Sequence, residues 1–156
     1  MRILGFLILT QFFLYSSAQQ VNFQSTNIAL FIIDTDGETI VDEPKIEANL
    51  KVIYNESGDR NLPSDAANIY DGKIGIEYRG AFSQMLPQKP YGFETLDDIG
   101  EEDNVPLFDF PEENDWILLA NYNDKSFVRN SLIFHLFRKT MINTDKFKCD
   151  FIFIIR

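Results

Sequence analysis

Residues 46–54 carry apolar side chains at every second position: Ile46, Ala48, Leu50, Val52 and Tyr54 alternate with Glu47, Asn49 and Lys51. Successive side chains of a strand point to opposite faces, so a period of two marks one strand with a single buried face. Ile74, Ile76 and Tyr78 repeat the pattern against Lys73, Glu77 and Arg79. Around these two strands lie shorter signals. Residues 28–33 are a continuous apolar run closed by an Asp36-Gly37 turn, from which residues 39–41 could return as a short strand. Residues 91–96 and 116–120 are further strand candidates, and residues 147–156 read as a buried strand in which the chain stops. One helix is predicted, with Asp124 as N-cap and a start near Lys125. Phe127, Val128, Leu132, Phe134, Leu136 and Phe137 give it a broad apolar face, and Arg138 and Lys139 suit its C-terminal dipole. Several strands and one principal helix predict an α+β fold with a mixed or antiparallel sheet.

Composition narrows the function classes. Hydrophobic residues make up 45% of the 156 residues and charged ones 24%, which excludes a wholly disordered chain, and 15 Phe supply ample core. The 14 basic and 24 acidic residues leave a net charge of −10, a field that repels nucleic acid and anionic lipid. Cys149 is the single cysteine, so no internal disulfide and no cysteine metal site can form; it reads as a small core residue. His135 is the single histidine and reads as structural.

The N-terminus has the pattern of a secretory signal peptide. Met1-Arg2 is a short positive start, residues 3–15 are almost all apolar, and Ser16-Ser17-Ala18 supplies small residues for cleavage after Ala18. The apolar stretch is short of the roughly 20 residues that span a bilayer. The expected product is secreted and, once cleaved, not membrane-spanning. Residues 1–18 are then the signal peptide, 19–27 a short linker and 28–156 the folded portion.

Three loops were weighed for chemistry. Residues 55–71 form a long polar connection carrying an Asn55-Glu56-Ser57 glycosylation sequon. Residues 94–115 hold ten acidic residues and no Lys or Arg, without a recognisable ligand spacing for calcium or magnesium, and read as a solvated charged loop. The stretch Ile74-Gly75-Ile76-Glu77-Tyr78-Arg79-Gly80-Ala81-Phe82-Ser83-Gln84-Met85-Leu86-Pro87-Gln88-Lys89-Pro90-Tyr91-Gly92-Phe93-Glu94 is a strand–loop–strand unit. Such a unit can cover polyphosphate, with the loop amides, Ser83 and Gln84 donating and Lys89 supplying countercharge. It lacks a full glycine-rich phosphate motif, and on its residues alone a plain hairpin with solvated Arg79 and Lys89 fits better. Arg129 is unfavourably placed for the dipole near a helix start, so it calls for a carboxylate or phosphate partner.

Several motifs then occur in an ordered series: Ile33-Asp34-Thr35-Asp36-Gly37, Asp42-Glu43-Pro44-Lys45-Ile46, Tyr70-Asp71-Gly72-Lys73-Ile74-Gly75-Ile76-Glu77-Tyr78-Arg79-Gly80, Ser83-Gln84-Met85, Lys89-Pro90-Tyr91-Gly92-Phe93-Glu94, Pro111-Glu112-Glu113-Asn114-Asp115-Trp116 and Asp124-Lys125-Ser126-Phe127-Val128-Arg129-Asn130. Together they resemble the N-terminal part of the spore coat protein H (CotH) kinase family, over residues 28–137. The resemblance implies the front of an atypical protein-kinase-like fold, with ATP and divalent metal (Mg) as cofactors. It implies phosphoryl transfer to Ser or Thr of an extracellular or coat protein substrate. Arg79, Ser83, Gln84 and Lys89 would cover the nucleotide, with Lys89 on the phosphates, and Arg129, on a helix packed behind the sheet, would help organise that site. The family's catalytic and metal-binding aspartates are expected beyond Arg156, so no catalytic or metal residue is assigned here and the chain by itself is expected to be inactive. The contrasting expectation is a non-catalytic extracellular adhesion or coat-assembly module.

Overall fold

The computed structural model describes residues 23–126, 128–140 and 151–155. The signal-peptide region, Cys149 and Phe127 fall outside them. Six strands form one sheet: β1 (Ala29–Asp34), β2 (Ile46–Ile53), β3 (Tyr70–Tyr78), β4 (Tyr91–Leu96), β5 (Asp115–Leu118) and β6 (Phe151–Ile155). Their spatial order is β5-β4-β3-β2-β1-β6. Strands β1 to β5 pair antiparallel with their neighbours, and β6 joins β1 in parallel, with Phe31 beside Phe153. Among the described residues one α-helix, α1, spans Arg129–Thr140. The fold is therefore mostly β, and the helix is its minor part.

The period of two places the core. On one face, Ala29, Phe31 and Ile33 meet Ile46, Ala48, Leu50 and Val52, then Ile74, Ile76, Phe93 and Leu118. On the other face Leu30, Ile32 and Ile53 form a smaller cluster with Phe23. A strand buried on both faces needs apolar residues without alternation, which explains the unbroken run of β1.

Several expectations shift in the structure. Residues 39–41 form no strand; Ile40 drops into the main core and the Val41 carbonyl accepts the Tyr78 N–H at 2.8 Å. β3 begins at Tyr70, four residues before its first alternating apolar side chain. The acidic connection after β4 is more than a solvated loop: it buries Leu107 in the core and sets Phe108 against Phe31 and Tyr54, with ring centroids 6.2 and 5.9 Å apart. Phe23 and Thr26, inside the segment read as a linker, also belong to the fold; Thr26 exchanges backbone hydrogen bonds with Asn61.

The helix departs furthest from expectation. It starts at Arg129 rather than near Lys125, and Val128, Leu132, Ile133 and Leu136 are each at least half exposed. A helix packed behind the sheet through these side chains would bury them; Phe127, Phe134 and Phe137 of the expected apolar face lie outside the described side chains. His135 is likewise exposed rather than enclosed.

Candidate functional site

The connection between β3 and β4 is a hairpin loop closed by its own backbone. Arg79 N–H donates to the Pro90 carbonyl at 3.0 Å, directly beyond the last registered pair, Tyr78 with Tyr91. Gly80 then turns the chain at φ +83°, a region costly for residues with a Cβ. A Cβ there would also collide with Ser83 Oγ, which donates to the Arg79 carbonyl at 3.3 Å. Phe82–Met85 follow as one 3-10 turn. The loop's shape thus follows from one glycine and one serine.

Lys89 sits at the loop's return. Its ammonium donates to the Gln84 carbonyl and lies 5.1 Å from the centroid of the Tyr78 ring. The Gln84 side-chain amide donates in turn to the Asp42 carboxylate, tying the loop to the segment ahead of β2. Tyr78 stacks obliquely on Tyr91 at 5.5 Å, and burial, followed by the charge of Tyr78, raises the Tyr91 phenol above its ordinary pKa. The Tyr91 ring therefore acts at neutral pH as an uncharged surface. Among the described residues no carboxylate lies within salt-bridge distance of Lys89 or Arg79, whereas Lys45, Lys73 and Arg129 each have one.

The expected site residues do not converge on one point. Ser83, Gln84 and Lys89 share the loop. Tyr78, beneath Lys89, packs against the main core and so marks that side of the sheet. Arg79 instead lines a cleft of about 230 Å³ with Lys45, Glu77, Gly92, Asp115 and Ile117, on the side opposite that core. Arg129 is apart from both. Its guanidinium Nε is 3.6 Å from Asp124 Oδ1, its own N–H donates to Asp124 Oδ2 at 2.9 Å, and its side chain is 79% exposed. Its carboxylate partner is Asp124, and no contact among the described residues links it to the hairpin.

Two features of the site were not found by sequence reasoning. Asp42, which holds Gln84, looks like any acidic residue in a polar segment. Lys45 reaches across β3 to an ion pair with Glu94 on β4, and its stem passes over Gly75, where a Cβ would stand 3.6 Å from its Cδ. A glycine inside a strand is a signal for close approach of another group. Among the described residues no group of three or more His, Cys, Asp or Glu is placed to hold a metal ion. No helix of the described residues is long and apolar enough to cross a membrane.

Fold and site together define a mostly antiparallel β-sheet protein with one helix, whose β3–β4 loop holds a lysine without an acidic partner. A family model described as CotH kinase protein matches residues 76–155, from the end of β3 through the hairpin, β4, β5 and α1 to β6. The match covers about half of the chain, and the chain belongs to the CotH kinase family. It begins later than the motif series and reaches β6, within the 28–156 portion expected from the sequence. No curated protein and no solved structure matches the chain, so no structural neighbour bears on the kinase-like reading of the sheet.

Proposed function

We propose that this chain supplies the nucleotide-covering portion of a secreted CotH-type kinase that transfers a phosphoryl group from ATP to Ser or Thr of an extracellular or coat protein. The observation that carries the reading is Lys89: in a chain of net charge −10, its ammonium has a carbonyl and a ring face for company and, among the described residues, no carboxylate. A cation left without an anion partner is available for one, and a polyphosphate is the anion the family's activity calls for. Ser83 and Gln84 stand in the same loop with donors that can turn to phosphate oxygens. Arg79, which lines the cleft on the opposite face, and Arg129, which is paired with Asp124, contribute to the field.

The test is direct nucleotide binding, followed by calorimetry or by a fluorescent ATP analogue with the full chain. Lys89→Ala is expected to weaken binding at least tenfold, about 1.4 kcal/mol, while Lys73→Ala, whose ammonium is paired with Glu47 at 3.2 Å, leaves it unchanged. Equal affinity of the Lys89→Ala protein and the parent would overturn the assignment.

A further inference from the structure

The strand order leaves β5 at an edge of the sheet. Which of its backbone groups are spent on β4 follows from the ladder: Thr95 N–H donates to the Asn114 carbonyl at 3.1 Å. In an antiparallel pair, hydrogen-bonded and non-hydrogen-bonded positions alternate. The Phe93–Trp116 and Tyr91–Leu118 pairs therefore exchange the bonds, and the N–H and C=O groups of Asp115 and Ile117 face away from β4. Natural edges are blunted by bulges, prolines or lysines; β5 has none of these, and Ile117 and Leu119 beside it are 45% and 43% exposed.

Beside this edge lies the cleft described above. Its floor is Gly92, registered between Glu77 on β3 and Ile117 on β5, and a glycine there leaves a notch where every other residue would stand a side chain. Asp115 is the exposed charged side chain of β5 itself, while Lys45, paired with Glu94, and Arg79 line the cleft from the side of β3. The edge therefore offers a backbone template, an apolar step and a notch, with a carboxylate at its start.

We propose that the β5 edge binds an extended segment of another polypeptide, adding it to the sheet as a further strand, with a basic side chain opposite Asp115 and an apolar one over Ile117 toward the Gly92 notch. Main-chain bonds to Asp115 and Ile117 supply affinity, and the alternating side chains supply selectivity. The occupant is a basic segment because Asp115 is the exposed charged side chain of this edge and because the whole chain carries −10, a charge that opposes a second copy. The inference does not depend on the nucleotide reading, since Lys89 and its loop take no part in it.

The probe is a capped nonapeptide alternating threonine with lysine and valine, set against its counterpart with glutamate in place of lysine, each titrated into the full chain. Amide hydrogen exchange at Asp115 and Ile117 is the first readout. The lysine peptide is expected to protect both amides and to bind at least tenfold more tightly than the glutamate peptide. Ile117→Pro removes an outward N–H that β4 does not use, a position where an edge strand accepts proline, and is expected to abolish binding. Asp115→Lys, which leaves every ladder bond in place, is expected to reverse the preference between the two peptides. Unprotected amides, equal affinity for the two peptides, or unchanged preference in the Asp115→Lys protein would each overturn the proposal. So would concentration-dependent protection without peptide accompanied by a dimer in sedimentation, which would make a second copy the occupant.

Discussion

Asn61 shows how much of this fold rests on a single carboxamide. It is fully buried in a loop otherwise rich in exposed polar residues. Its side-chain oxygen accepts the Asn55 N–H at 2.7 Å, its amide donates to the Ile28 carbonyl at 2.8 Å, and its backbone pairs in both directions with Thr26. One residue thus closes the long 55–69 connection onto the entry to β1. Asn61→Ala strands a donor and an acceptor away from water, and at about 1–3 kcal/mol for each unsatisfied buried group the loss should be about 2–4 kcal/mol. The measurement is urea unfolding with an unchanged slope and a lower midpoint. Asn68 makes the same kind of pair with Tyr54, 2.8 Å each way, but is exposed, so water replaces what Asn68→Ala removes and the expected cost is below about 1 kcal/mol. Similar losses for the two variants would refute the distinction. Nothing in the sequence separates Asn61 from its polar neighbours, because loop composition reports the need for hydrogen bonds and not which residue turns inward.

At the scale of elements, legibility follows the same logic. β2 stands close to where alternation placed it, because one buried face prints a period of two directly into the sequence, and β4 coincides with the 91–96 candidate. β3 begins early because Tyr70 and Gly72 are too ambiguous to extend the pattern; the Tyr70 ring covers Gly72 and its hydroxyl donates to the Lys73 carbonyl at 2.8 Å. The contribution of the acidic segment to the core was hidden by charge: one buried Leu107 among so many carboxylates makes no pattern. Helix α1 was legible in its existence and in its cap, not in its start. Asp124 accepts from Ser126 and, five residues on, from the Arg129 N–H, so the capping carboxylate acts across a loop rather than from the adjacent position. Its pKa is lowered, first by the Ser126 hydroxyl and then by the Arg129 N–H. The anion is the form these bonds favour, so its support for the helix start is complete above the unfolded pKa and is lost as pH falls through the lower folded value. Amide exchange at Arg129 should accordingly stay slow through the ordinary carboxylate range and quicken only at more acidic pH. In Asp124→Asn the acid step should vanish, and a step that persists would assign it to another group.

The whole molecule is a sheet whose centre of burial lies toward one side. β1 is covered on both faces and flanked by β2 and β6, while β5 at the far edge carries exposed side chains and an open ladder. The site expected from the sequence is correspondingly spread: the hairpin lysine lies on the core side, Arg79 in the cleft opposite, and Arg129 on a helix outside both. Spacing along the chain could assign these residues to one loop and one helix, but which face each side chain takes depends on register, and register is a property of the assembled sheet. The parallel seam between β1 and β6 is where this dependence is sharpest, since it joins residues more than a hundred positions apart. In a parallel strand each residue sends both its N–H and its C=O to the same side, and the next residue sends them to the other. Of Phe153 and Ile154, beside Phe31 and Ile32, one therefore bonds β1 and the other faces the outer edge. Proline at the bonding position removes a ladder bond, about 1–3 kcal/mol, whereas at the other it removes a donor that the sheet does not use. Thermal melts of Phe153→Pro and Ile154→Pro, each set against alanine at the same position, should therefore separate clearly, with one proline close to neutral. Equal penalties at the two positions would mean that β6 does not contribute its ladder to the stability of the sheet.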